Sequence, residues 1–261
     1  MADRRRDARI SMTLGLLTRR GEVRVRLLPA VLRVSEATVR RDLALMEERG
    51  LIRRSYGKIT AVRPGAELPV GLRRSHHVEA KRRIGALASA LIPRRPLTVA
   101  LGGGSTVGFV ARSLAGRTGL TVVTNGLETA VSLMTRQLVE VVLTGGTARP
   151  LSDDLVGTAA VKTLRSYRFD YAVVGADGIS ADAGLTRFSP HAAEIDRVML
   201  ERAEHVIVVA DSSKFGRVRK AAIAGLDAVD IVVTDSLVAP ETVAALRGRG
   251  VRTTVVRVPP D

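Results

Sequence analysis

The sequence predicts an α/β fold in which a small helical unit ending in a hairpin precedes a larger parallel-sheet domain. Two patterns carry this. Over the first fifty residues apolar side chains recur at helical spacing, whereas from residue 78 onward short apolar runs alternate with helical stretches. Charge makes the same division: residues 1–63 hold 16 Lys/Arg against 7 Asp/Glu and the other 198 residues hold 25 against 19, so over half of the net +15 lies in the first quarter. That asymmetry is what an electrostatic footprint on a polyanion requires.

In order, residues 8–20 are expected as a first helix, with Ile10, Leu14 and Leu17 at i, i+4, i+7 and Gly21 as its stop. An extended piece at 23–25 leads to a second helix over 27–32, with Pro29 in its first turn, where a missing N–H costs little. Ser35 is a good N-cap for a third helix over 36–48. Val39, Leu43 and Met46 form its apolar stripe. Ala37, Arg41 and Ala44 lie opposite, flanked by Arg40 and Thr38. Such a front is slim and cationic, and it suits a DNA major groove. From the helix alone an ordinary amphipathic surface helix is the favoured reading; the charge and the layout reverse that in favour of DNA. Gly50 ends the helix and residues 51–60 form a basic hairpin turning at Gly57. Three helices and such a hairpin make a winged helix-turn-helix over 1–62. Its expected DNA contacts are Ser35, Glu36, Ala37, Thr38, Arg40 and Arg41 on the helix, with Arg54, Tyr56 and Lys58 in the wing.

Residues 63–77 lack periodicity and carry breakers, so they are expected as a linker. The domain from 78 to 261 has apolar strand candidates at 97–101, 120–124, 139–143, 171–174, 206–210, 231–234 and 253–258. Helical stretches at 80–91, 106–114, 127–136, 155–164, 192–203 and 240–247 accompany them. Near-continuous apolar strands with helices between imply a parallel sheet covered on both faces.

Ligands of such sheets collect at the carboxyl ends of the strands. Those ends read Gly102-Gly103-Gly104-Ser105-Thr106, Thr124-Asn125-Gly126, Thr144-Gly145-Gly146-Thr147, Gly175-Ala176-Asp177-Gly178, Asp211-Ser212-Ser213-Lys214 and Thr234-Asp235. Any one of these turns is a weak signal; their convergence on one rim is the strong one. The first has phosphate-cradle chemistry, with glycines for close approach, Ser105 and Thr106 hydroxyls, and a helix start. It is neither a dinucleotide fingerprint, since Val107 stands where the third Gly belongs, nor a Walker A loop. A small phosphorylated metabolite fits: Gly103, Gly104, Ser105, Thr106, Thr124, Asn125, Gly145, Gly146, Asp177, Gly178 and Glu194 contribute loops and hydroxyl ligands, while Arg197 and Lys214 supply charge.

Other classes are excluded or disfavoured. Without cysteine there is no disulfide, thiolate nucleophile or Cys-based zinc site. No signal-peptide h-region or membrane-length apolar run is present, so a cytoplasmic protein is expected, with no membrane partner. Aromatics are 3% and Trp is absent, which argues against base stacking on single strands. The four histidines, His76, His77, His191 and His205, suggest no metal site, and no cofactor is expected.

The stretch VSEATVRRDL (34–43), with Ile10, Leu14, Gly21, Val23, Val25, Leu28, Glu47, Gly50, Leu51, Arg54 and Gly57, resembles the DNA-binding domain of the DeoR family of sugar-responsive transcriptional regulators. Pro29, Arg33, Tyr56 and Lys58 depart from its pattern, and Arg33 stands at a turn position that favours glycine, which asks for a left-handed backbone. Residues 78–256, with Lys81, GST (104–106), FDYAVVGADGI (169–179), Gly184-Leu185-Thr186, Glu194, Arg197 and ADSSKFG (210–216), resemble the family's sensor domain. Gly102 replaces an Asp often found there. The resemblance implies a fold like ribose-5-phosphate isomerase and CoA-transferase subunits, and a repressor of carbohydrate-metabolism genes. Its expected partners are double-stranded operator DNA, a phosphorylated sugar or polyol, and further copies of itself as a dimer or tetramer. The rival expectation is a sugar-phosphate isomerase-like enzyme with an appended DNA-binding domain, using Asp177, Glu194 and Lys214 as its acid/base set.

Overall fold

The computed structural model describes residues 2–62 and 67–259, so residues 63–66 of the expected linker lie outside the described residues. It comprises two compact units, Met1–His76 and His77–Asp261.

In the first unit the helix Ala2–Arg20 starts earlier than its apolar stripe. A 3-10 turn, Val25–Leu27, precedes the short helix Leu28–Leu32, which ends on Arg33 in the left-handed region at φ 52°. The next helix, Glu36–Glu48, is capped by Ser35, whose hydroxyl accepts from the Thr38 amide. The hairpin strands Ile52–Ser55 and Lys58–Ala61 turn at Tyr56 and Gly57, both at positive φ, as a two-residue turn matched to strand twist demands. The strand Glu22–Arg24 pairs antiparallel with Lys58–Ala61 and completes a three-stranded sheet. Ile10, Leu14, Leu17, Val39, Leu43, Met46, Ile52 and Ile59 share one core. Within the stretch expected as linker, Val70–Ser75 is helical, and Leu72 enters that core at 1% exposure. A six-residue helix that buries Val70, Leu72 and Arg73 is too short for periodicity to register, and the arginine interrupts its apolar pattern.

The second unit carries a seven-stranded sheet whose order is Arg252–Val256, Ile231–Asp235, Ala203–Val209, Phe169–Val174, Leu97–Leu101, Leu120–Thr124, Glu140–Leu143. Every neighbouring pair is parallel. Alternate residues of one strand enter different cores: Ala172 and Val174 join one, Val173 the other. Helices Thr158–Arg165 and Pro190–Glu201 cover the first face, and Val78–Leu91, Ser105–Leu114 and Leu127–Met134 the second. Strands taken in chain order build outward one way from Leu97–Leu101 and the other way from Phe169–Val174. The direction of winding therefore reverses between these two strands, which opens a crevice at their carboxyl ends.

Two excursions depart from the expected alternation. Residues 155–164 are not one helix: Asp154–Val156 is a strand antiparallel to Thr147–Arg149, and the helix begins only after Gly157. Gly178–Ser180, Gly184–Arg187 and Ala221–Ala224 form a separate antiparallel sheet. Strands of three or four residues are too short to declare a period.

Candidate functional site

The DNA-facing candidate is the exposed side of Glu36–Glu48. Val39, Asp42, Leu43 and Met46 are buried, while Ser35, Glu36, Ala37, Arg40, Arg41 and Ala44 are exposed and Thr38 is half-buried. Asp42 fixes the helix by accepting from Arg9 Nε and Nη2 at 2.6 and 3.0 Å, a bidentate clamp to the first helix. That hydrogen bond, ahead of the opposing effect of burial, raises the Arg9 guanidinium above its usual range. Arg41 lies along its own helix, donating to Ala37 O at 3.3 Å.

The wing differs in part from expectation. Tyr56 is fully exposed at the tip. Lys58 is paired with Glu22 at 2.7 Å, an exposed contact that salt screens. Arg54 turns back to the helix, donating to Arg40 O at 3.3 Å and lying 3.3 Å from Glu47 Oε2, so its charge is partly engaged. Strand alternation is the reason: Arg54 shares a face with Ile52, and Arg53 takes the exposed face. Arg53, with the exposed Arg24 on Glu22–Arg24 at the other edge of the three-stranded sheet, is a cation not among the expected contacts.

In the second unit the crevice at the winding reversal is built by three loops. Gly102 N donates to Val173 O at 3.0 Å, which ties the glycine loop to the neighbouring strand. A Cβ on Gly103 would overlap the Asp154 carboxylate, its Cγ only 2.6 Å away, so only glycine fits beneath that side chain. Asp154 is held there by the bridge to Gly126 and by Leu155 N donating to Asn125 O at 2.7 Å. Asn125 Nδ2 donates to Leu155 O at 3.1 Å, while its Oδ1 is buried without a partner.

Arg187 is the cation at this point. Its Nε donates to Asp196 Oδ2 at 2.5 Å and its Nη1 lies 3.9 Å from Asp177 Oδ2, with all three side chains buried. Burial alone would lower the guanidinium, but Asp196 and Asp177 outweigh it and raise it instead. Burial pushes the Asp196 carboxyl up, against the pull of Arg187. Asp177 also accepts from Phe188 N at 3.2 Å.

A second buried pair stands at the end of Ala203–Val209. Lys81 Nζ, on the helix Val78–Leu91, lies 3.7 Å from Asp211 Oδ2, both almost wholly buried. Burial would raise the Asp211 carboxyl, yet Lys81, then Lys214 and the bond from Ser213 hold it below the usual range. Lys214 closes the 3-10 turn Ser212–Lys214 that Asp211 caps.

The structure brings Gly103, Thr124 and Asn125 together with Asp154 and, through the adjacent strand ends, places Asp177 and Gly178 by Arg187. Ser105 and Thr106 open the helix Ser105–Leu114, whose N-cap Gly104 provides no side-chain bond to the first turn. Gly145 and Gly146 are exposed beyond the buried Thr144. Two expected residues fall elsewhere. Arg197 donates to Ile223 O and Ala222 O at 3.1 and 2.7 Å, fastening the side sheet to its helix. Glu194 is exposed, about half a turn from the inward Asp196. Helix phase was the usable signal, since Ile195, Val198 and Met199 point inward with Asp196 between them. No group of His, Cys, Asp and Glu able to hold a metal ion occurs among the described residues. No helix among them is long and apolar enough to cross a membrane.

Residues 9–64 match the DeoR-like helix-turn-helix domain and residues 76–236 the DeoR C terminal sensor domain. The chain is 32% identical over 243 residues to a putative aga operon transcriptional repressor of Escherichia coli O157:H7, covering 92% of this chain and 90% of that one. It is 32% identical over 203 residues to the glycerol-3-phosphate regulon repressor of Escherichia coli (strain K12), covering 78% and 80%. The HTH-type transcriptional repressor CsqR of the same strain is 30% identical over 231 residues, 88% of each chain. Among solved structures, ribose 5 phosphate isomerase A from Neisseria gonorrhoeae aligns over 52% of each chain at 18% identity and a TM-score of 0.39.

Proposed function

Because the chain belongs to the DeoR family of DNA-binding transcriptional regulators, we propose that it represses carbohydrate-metabolism genes from operator DNA, with its grip set by a phosphorylated sugar or polyol in the sensor crevice. One observation carries the DNA half: the outward face of Glu36–Glu48 presents Ala37, Arg40, Arg41 and Ala44 over a buried apolar stripe. Arginine forks onto guanine or phosphate, and the alanines let the backbone approach the groove floor. Ser35, Glu36, Thr38, Tyr56 and Lys58 border that contact, and Arg54 braces the helix.

For the effector, Gly103 to Thr106 and the start of the helix Ser105–Leu114 offer backbone N–H groups and hydroxyls to a phosphate. Lys81 and Lys214 add positive charge at the neighbouring strand end. Asn125 and Asp177 suit sugar hydroxyls, with Gly145, Gly146 and Gly178 shaping the loops. Effector and DNA are coupled reciprocally, so whatever factor the effector takes from DNA affinity, DNA takes from effector affinity. One short helix reads few base pairs, so the working form is a homo-oligomer, a dimer or tetramer, in the cytoplasm.

An isomerase would need Asp177, Glu194 and Lys214 around one substrate. Glu194 faces outward, on the side of its helix away from Asp196, which favours binding without turnover. The test is fluorescence anisotropy on the chain's own promoter DNA at low salt, titrated with sugar phosphates and polyol phosphates. Saturable binding that a phosphorylated sugar or polyol alters is expected; indifference to the promoter under all conditions refutes the proposal.

A further inference from the structure

We propose that the apolar edge formed by the helix Leu127–Met134 and the edge strand Glu140–Leu143 is where a second copy of this chain docks, about a two-fold axis; this rests on the oligomeric part of the function proposed above. The helix is packed the wrong way round for a solvated surface. Its inward residues include the small or polar Thr129, Ala130 and Ser132, with Leu133 the one large apolar side chain among them. Leu127, Val131, Met134 and, beyond the helix, Leu138 recur at i, i+4, i+7, i+11 and are 37, 65, 60 and 47% exposed. Leu143 on the strand and Leu151 on the hairpin turn add to the patch, each 42% exposed. Leu127 N donates to Asp153 O at 3.1 Å, which holds that turn against the start of the helix. A contiguous apolar patch of this kind marks an interaction surface.

The strand Glu140–Leu143 stands last in the sheet, with one side of its backbone open. Edge strands are usually defended by Lys, Pro or a covering segment, and this one contains no Lys or Pro. Val141 and Val142 are only partly covered, unlike the wholly buried valines of the inner strands. A two-fold axis perpendicular to the edge strand sets it antiparallel to its copy, extending the sheet with the stronger pairing pattern.

Charge identifies the occupant as a second copy. Two chains of net +15 repel over most of their surfaces. Residues 127–151 hold Glu128, Glu140, Arg136 and Arg149 and are neutral as a stretch. Glu128 is further matched by Arg112 at 2.8 Å. Like chains therefore meet here without repulsion, whereas an acidic partner would be drawn to the basic surfaces instead. The opposite sheet edge, Arg252–Val256, begins with an arginine and has no comparable apolar stripe.

The experiment is sedimentation velocity on the full chain and on Val131→Glu/Met134→Glu. Both positions are well exposed, and circular dichroism and the melting temperature check that the fold is kept. The wild type is expected as a dimer or a multiple of one. The variant should fall to half that assembly, with self-association weakened about a hundredfold or more, because symmetry buries four unpaired carboxylates. Since the chain has no cysteine, Leu143→Cys treated with a bis-maleimide gives a second readout, and a band at twice the monomer mass is expected. A wild type that is monomeric at micromolar concentration overturns both the oligomer and this surface. An oligomer unaffected by the two glutamates, or a cysteine variant that never cross-links between chains, overturns the surface alone.

Discussion

Replacing Arg187 by Met probes the buried charge cluster most directly. Asp196 and Arg187 side chains are 2 and 6% exposed and bonded at 2.5 Å, so the substitution leaves a carboxylate in the interior with no guanidinium. Breaking a buried pair from one side costs about 3–5 kcal/mol. In a domain of this size each kcal/mol moves the melting temperature by about 2–4 °C, so a fall of roughly 6–20 °C is expected at neutral pH. The penalty depends on pH. Burial already pushes the Asp196 carboxyl up, and loss of Arg187 pushes it further. An acid whose folded pKa exceeds its unfolded value destabilises only when ionised. The gap between variant and wild type should thus be full at neutral pH and close as pH falls through the raised pKa to below about 4. Asp211, held low in both proteins, destabilises both alike at acid pH and leaves the gap unaffected. Calorimetric melts at pH 7 and pH 4 measure it. A neutral-pH shift under about 2 °C, or a gap that ignores pH, would refute the reasoning.

Arg41→Ala should weaken operator binding by about 1–3 kcal/mol if the side chain reaches a base edge; a gel-shift titration superimposable on wild type would remove it from the interface. Gly103→Ala should destabilise the second unit by about 1–3 kcal/mol through overlap with Asp154. Asp154→Ala should restore part of that loss in urea titrations, and strict additivity of the two changes would contradict the contact. Arg9→Met should cost the first unit about 1.5–3 kcal/mol by leaving Asp42 unmatched in the interior. Amide hydrogen exchange across residues 36–48 reports it, and unchanged protection there would show that the clamp is idle.

The inner strands were legible because each is buried on both faces and so reads as an apolar run flanked by turn residues, and the edge strands Glu140–Leu143 and Arg252–Val256, though partly exposed, keep enough valine and leucine to be read likewise; 97–101 and 120–124 coincide with the structure to the residue. Their rim was legible for the same reason, since the residue after each run sits at a strand end. Arg187 was not, because it belongs to a four-residue antiparallel strand and its own cross-strand partner, Ala221, is distant in sequence. Asp196 was hidden by its chemistry: a charged residue within an apolar stripe looks like an interruption until its ion partner is known. Arg53 and Arg54 were resolvable by alternation alone, with Ile52 as the reference for the inward face.

The reversal of winding also dictates an order of assembly during synthesis. The crevice closes only when Phe169–Val174 pairs with Leu97–Leu101, a contact of high sequence separation whose loop-closure entropy makes it slow to form. The first 76 residues complete their own core from near neighbours and leave the ribosome well before that happens. The unit that carries the helix Glu36–Glu48 is therefore complete before the crevice exists, and because the apolar edge proposed for pairing lies in the second unit, a chain stalled after the first is expected to meet DNA only as a single, weak reader.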